Sequence, residues 1–228
     1  MTALPPKPFP FVSLRVLSTF LIVFYIAWCI RVVLLMPIED GIGSFWIRQL
    51  VSQSVRIALW GLPVFAMLAF VHRVSVVRAL KLDAVPHGRA LRNTIALCVA
   101  WLVITMLFGT LVEKRTLTFA VDHTAAEWAT IAVTMIWAPI FEEILFRGYV
   151  FQALRGHMAW LGAAVISGAL FAAGHWPGWI YLQGLHSGLV MQTVSITILG
   201  IVLAAVFEHG QSLWPCIILH TLNNLLWA

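Results

Sequence analysis

The stretch from Trp128 to Leu154 reads as one apolar helix, and in its middle stands Phe141-Glu142-Glu143-Ile144-Leu145-Phe146-Arg147, two adjacent carboxylates and a guanidinium. An ionised side chain at the centre of a bilayer costs roughly 2.5 to 3.5 kcal/mol even on the lenient insertion scale, so such residues mark function by default. The rest of the chain shows that the setting is a bilayer. Hydrophobic residues make up 61% and charged residues only 10% of the 228, against about 25% charged in soluble domains. The mean hydropathy is +0.95.

A helix needs about 20 apolar residues to cross the hydrocarbon core. Seven segments reach or approach that length: 15–36, 51–71, 93–112, 127–150, 160–176, 188–207 and 212–227. The predicted fold is all-α, a polytopic transmembrane helical bundle of about seven spans (six to eight), forming a single integral-membrane domain over 1–228. Spans within 1–126 carry few polar side chains, whereas the polar motifs crowd into a core at 127–228. The first apolar run is too long for a signal-peptide core and lacks a small-residue cleavage site, so it is expected to be retained.

The loop 72–92 carries Arg73, Arg78, Lys81, Arg89 and Arg92 against one acid, Asp83, while the loop after the first span holds Glu39 and Asp40. Basic loops stay in the cytoplasm. The expected protein is a multi-pass protein of a cell membrane, the bacterial inner membrane, with its N-terminus cytoplasmic. This topology accounts for the net charge of +5 without a nucleic-acid partner. Arg31, Arg48 and Arg56 lie near span ends and can snorkel, though Arg56 is deep enough to need a partner.

Several chemistries are disfavoured. There is no GxSxG elbow, HExxH helix or phosphate-binding loop. Asp40, Asp83 and Asp122 are the only aspartates and fall in expected loops, which argues against paired-aspartate catalysis. Cys29, Cys98 and Cys216 occupy different apolar segments without CxxC spacing, so they read as packing residues. His72, His87, His123, His157, His186 and His209 lie in loops or at span ends, and none is assigned a role.

Three polar pairs remain inside apolar helices, each at a spacing of four. Glu143 shares a face with Arg147, while Glu142 is turned about 100 degrees away, so the two acids should do different jobs. A supporting ion pair of Glu143 and Arg147 leaves Glu142 free to accept a proton. Phe171 and His175 form the second pair, and His220 and Asn224 the third. An imidazole can activate water, and an amide can donate to a developing oxyanion. The set suits hydrolysis of an amide. A proton relay in a transporter would also use buried Glu and His, but it predicts repeats in both halves of the chain. A noncatalytic membrane scaffold has no reason to bury so many charges.

Glu142-Glu143-x-x-x-Arg147, Phe171-x-x-x-His175 and His220-x-x-x-Asn224, in this order and flanked by Phe146-Arg147-Gly148-Tyr149 and Ser212-Leu213-Trp214-Pro215, resemble the motifs of the CPBP family. This family comprises the CAAX proteases and bacteriocin-processing enzymes, also called the Abi family. The resemblance covers about 137–228 and implies an intramembrane endopeptidase acting on a membrane-anchored peptide or protein: a CAAX-like tail, a leader or a C-terminal sorting peptide. By similarity Glu142 activates water with help from His175, and His220 and Asn224 stabilise the oxyanion. Glu143 and Arg147 would hold the geometry, with Phe171 packed beside them. No cofactor is favoured. The zinc-dependent alternative would use Glu142, His175 and His220 with water in the fourth position. Two features weigh against it: no short-range ligand pair fixes the geometry, and Asn224 is better suited to an oxyanion.

Overall fold

Residues 9–227 are described by a computed structural model, with the side chains of Ala120 and Val133 left out. Residues 1–8 of the segment expected in the cytoplasm, and Ala228, lie outside it. Among the described residues there are eight helices and no strand. They are α1 Leu14–Asp40, α2 Phe45–Val71, a short α3 Val76–Ala79, α4 Gly88–Leu111, α5 Ala125–Arg155, α6 Trp160–Gln183, α7 Gly188–Gly210 and α8 Trp214–Leu225. Five of them, α1, α2, α4, α5 and α7, are long and apolar enough to cross a membrane. The protein is a polytopic helical membrane protein. Helices occupy all seven expected segments, but α8 has only 12 residues, about 18 Å of rise, and does not span alone.

Helix α5 occupies the centre. From Ala138 to Leu154 nearly every side chain is buried, the pattern of a helix enclosed on all sides. Its start is fixed by a capping box, in which Glu127 accepts from the Thr124 backbone N–H at 2.7 Å and the Glu127 N–H returns a bond to Thr124 Oγ1. The outward faces of α1, α2 and α4 are apolar and exposed, including Ile22, Val23, Ile26, Leu62, Phe70, Ile95 and Val99. Such a surface belongs in lipid.

Helices α6 and α7 cross with backbones in contact. Ala164, Gly168 and Ala172 recur every fourth residue on α6, facing Gly200 and Ala204 on α7, all buried. Small residues at this spacing let membrane helices approach closely. A Cβ on Gly200 would lie 2.6 Å from Gly168 Cα, and one on Gly168 2.8 Å from the Thr197 carbonyl oxygen.

The N-terminal half is tied to this core by aromatic side chains with polar tips. Tyr25 donates to the Leu170 carbonyl and Trp28 Nε1 to the Gly174 carbonyl at 2.8 Å, which fixes α1 along α6. Trp60 packs edge-on against Phe24 and Trp28 and faces Phe146 at 5.9 Å. Gly61 sits so close to α5 that a Cβ there would meet the Phe141 ring at 2.7 Å.

Loop contacts sort the two ends of the bundle. At one end Arg155 grips Glu208 through two bonds, His157 meets the Val12 carbonyl, and the loop after α3 joins the α7–α8 turn through Trp214 Nε1 and the Leu82 carbonyl. At the other, Tyr181 bonds Asp40 and the Thr118 N–H bonds the Leu226 carbonyl.

Three expectations change. Helix α6, predicted to stop at Trp176, runs on through Pro177 to Gln183. The missing proline N–H removes one intrahelical bond, a loss membrane helices tolerate where neighbours support them. Glu39 and Asp40, predicted in a loop, form the last turn of α1. Arg31 does not snorkel. It is buried, 2.6 Å from Glu39 and 2.9 Å from Ser52 Oγ, because its charge is met inside the protein.

Because both neighbours at the α6–α7 crossing are backbone, Gly168→Ala and Gly200→Ala are expected to destabilise the bundle by about 1–3 kcal/mol, as overpacking does. Gly178→Ala, with nothing within 4 Å, is expected to leave stability unchanged or higher. Thermal unfolding in mixed micelles reads the difference.

Candidate active site

The site is built where α5, α6 and α8 meet, with α2 closing one side. Glu143 is fully buried, and one of its oxygens carries two bonds: Arg147 Nη1 donates to Oε1 at 3.0 Å and His220 Nδ1 lies 2.8 Å from the same atom. Arg147, also fully buried, spends a second donor on the Gly200 carbonyl at 3.0 Å. That carbonyl is reachable only because α7 packs so close to α6. The second oxygen of Glu143 and Nε of Arg147 have no hydrogen-bond partner.

A carboxylate accepting from Nδ1 fixes the His220 tautomer, so Nε2 points elsewhere. It lies 3.7 Å from Glu142 Oε2. Glu142 is buried but for a few per cent of its surface, and its other oxygen lies 3.6 Å from Arg56 Nη1 on α2. The two adjacent acids therefore face different partners. Glu143 is held by two hydrogen bonds to one oxygen, whereas neither contact of Glu142 is short enough to be a hydrogen bond.

His175 and Glu142 are electrostatic neighbours with no hydrogen bond between them. The ring donates from Nδ1 to the Phe171 carbonyl one turn back, at 3.0 Å, which leaves Nε2 with a lone pair. Phe171 sits between the two imidazoles. Its ring meets His175 at 4.8 Å and His220 at 5.5 Å, edge-on to both, and the Arg147 guanidinium lies 4.6 Å from its centroid. Trp179 covers the far side of His175 at 5.3 Å.

Asn224 is placed less directly. It follows His220 by one turn of α8 and is half-buried, and its Oδ1 accepts from Asn223 Nδ2 at 3.4 Å. Asn223 in turn accepts from Trp101 Nε1 on α4. The structure thus gathers Glu142, Glu143, Arg147, Phe171, His175 and His220, and sets Asn224 at the margin without a bond to any of them. Arg56 joins the site from a helix that carries no motif; its depth in an apolar segment was the only sequence signal.

Among the described residues no three of His, Cys, Asp and Glu are arranged to hold a metal ion. Glu142, His175 and His220, the zinc trio considered above, do not form such a group. An apolar groove of about 590 Å³ runs between α1 and α6, lined by Cys29, Val33, Ala173, Trp176, Pro177 and Ile180.

Removing the Glu143 charge strands the Arg147 guanidinium in a dry interior, the situation that costs 3–5 kcal/mol in buried pairs. Glu143→Gln is expected to lower stability by about 3 kcal/mol or more, and by more than Glu142→Gln, whose partner Arg56 stands 3.6 Å away and is a quarter exposed. Equilibrium unfolding of both variants in micelles checks this ordering.

Residues 124–226 match the family model described as Rce1-like, type II CAAX prenyl endopeptidase Rce1-like. The matched segment opens at Thr124, the cap of α5, and contains every motif residue named above. Neither the curated proteins nor the solved structures contain a match.

Proposed function

Since its segment 124–226 places the chain in the CAAX protease family, and that family is one of membrane endopeptidases, we propose that Glu142, His175, His220 and Asn224 hydrolyse a peptide bond of a lipid-anchored substrate without a metal. The observation that carries this reading is the unequal treatment of the two acids. Glu143 is locked between Arg147 and His220, while Glu142 lies 3.7 Å from His220 Nε2 and is an electrostatic neighbour of His175, with no hydrogen bond to either.

In the proposed reaction a water held between Glu142 and His175 Nε2 gives its proton to the Glu142 carboxylate as its oxygen bonds the scissile carbonyl carbon. The carbonyl oxygen takes the negative charge. It is met by the Asn224 amide and by His220 Nε2–H, which exists when the ring is protonated with its other N–H on Glu143. Donors fixed in advance at such a point are worth about 10²–10³ in rate each. When the intermediate collapses, the C–N bond breaks and Glu142 returns the proton to the leaving nitrogen, giving a carboxylic acid and an amine. The apo spacing is looser than a reacting geometry, as is common before substrate closes the site.

The proposed substrate is a prenylated CAAX tail or a similar lipid-anchored peptide. The groove between α1 and α6 is wide and apolar enough for a hydrocarbon chain. The end of the bundle bearing the basic loop 72–92 is proposed to face the cytoplasm. The family match favours a peptidase over the transporter and scaffold readings.

With a farnesylated CAAX peptide as probe, Glu142→Gln is expected to lower kcat by about 10²–10⁴, the usual worth of a general base. Asn224→Ala is expected to lose about 10²-fold in kcat with KM little changed. A strong chelator is expected to leave cleavage intact. Wild-type rates in Glu142→Gln would end the assignment of the base, and loss of activity to the chelator, restored by zinc, would replace the metal-free mechanism.

A further inference from the structure

Helix α2 belongs to the half of the chain outside the family match, yet it sends one side chain into the site. Arg56 stands 11 residues from the start and 15 from the end of the 27-residue helix Phe45–Val71, about 16 and 22 Å from the two ends at 1.5 Å per residue. A guanidinium at that depth is costly unless a partner receives it. Snorkelling does not explain it, because three-quarters of the side chain is covered. Its one ion pair is Glu142, at 3.6 Å. The nearby Arg31 repels it and is itself neutralised by Glu39. Among the described residues Arg56 makes no hydrogen bond, so its donors are not engaged in holding these helices together as those of Arg147 are.

Two local features bring it there. The helix changes from α to π winding immediately after Arg56, over Ile57–Gly61, and such a turn shifts the register of the face that meets α5. Gly61 then allows the backbone of α2 to lie against the Phe141 ring, the residue before Glu142. The groups facing Glu142 are Arg56 from α2, His175 from α6, His220 from α8 and Arg147 from its own helix. Of the two arginines, only Arg56 is within ion-pair distance of Glu142, since Arg147 is committed to Glu143 and Gly200.

We infer that Arg56 is a positioning residue for Glu142: its charge holds the carboxylate of the general base turned toward the two histidines, so that the N-terminal half completes the catalytic apparatus. This inference rests on the proposed role of Glu142, and the positioning acts through the charge of Arg56 at 3.6 Å, which a lysine also carries.

The test uses the full-length protein in micelles with the farnesylated CAAX peptide. Arg56→Gln and Arg56→Ala are expected to lower kcat at least tenfold with KM within about twofold, and Arg56→Lys to keep a third or more of the wild-type rate. Millimolar guanidinium ion is expected to restore Arg56→Ala severalfold, while the same concentration of urea does not. A purely structural role would show neither the lysine rescue nor the guanidinium rescue. Wild-type kcat in Arg56→Gln, or a lysine variant as impaired as the glutamine one, overturns the inference. Glu142→Gln is measured alongside. If that variant cleaves normally the base assignment itself has failed, whereas an inactive Glu142→Gln beside a fully active Arg56→Gln removes the Arg56 role alone. Should Arg56→Gln and Arg56→Ala not fold, the lysine variant decides: a kcat loss of tenfold or more at unchanged melting temperature contradicts the inference, and retention supports it.

Discussion

A single carboxylate oxygen, Oε1 of Glu143, anchors the centre of this protein. It receives Arg147 from its own helix and His220 from α8, and in a dry interior neither partner is easily replaced. Arg147 then reaches across to the Gly200 carbonyl, so the same charge network joins α5, α7 and α8. The close crossing of α6 and α7 is part of this arrangement, since a larger residue at Gly168 or Gly200 would move the carbonyl that Arg147 uses. Phe171 closes the network by placing an aromatic face toward Arg147 and its edges toward both imidazoles.

With Glu143 occupied, Glu142 is the acid to which the proposed reaction assigns the chemistry, and its surroundings come from four helices. This division of labour between neighbouring glutamates follows from helix geometry, because adjacent residues point about 100 degrees apart. The family match covers α5 to α8 only. α1 and α2 support the helices that bear the motifs through side-chain tips and one cation, features a pattern of hydrophobicity does not record.

The spacing of four between Glu143 and Arg147, between Phe171 and His175, and between His220 and Asn224 was legible because each pair is local to one helix. The apolar runs disclosed the bundle for the same reason. Contacts between distant segments were not legible. Tyr25 and Trp28 look like ordinary residues of an apolar span, and only the structure shows them on the carbonyls of Leu170 and Gly174. Arg31 looked like a snorkelling residue because its partner Glu39 was read as a loop acid. Arg31, Arg56 and Arg147 each lie in or directly before a π-helical turn, which rotates part of the helix relative to a regular α repeat, so a strict 3.6-residue count misplaces the faces beyond it. Pro177 read as a helix end and is not one. Asn224 shows the opposite limit: its spacing from His220 is regular, but its amide is joined to Asn223 and not to the acids.

The most direct test is a double-mutant cycle between Glu143 and Arg147, with Glu143→Gln, Arg147→Met and the pair compared by equilibrium unfolding in micelles. Residues sharing a buried network couple by about 0.5–3 kcal/mol, and a coupling of at least about 1.5 kcal/mol is expected here. Additive effects, with no coupling between the two positions, would contradict the view that this ion pair organises the site.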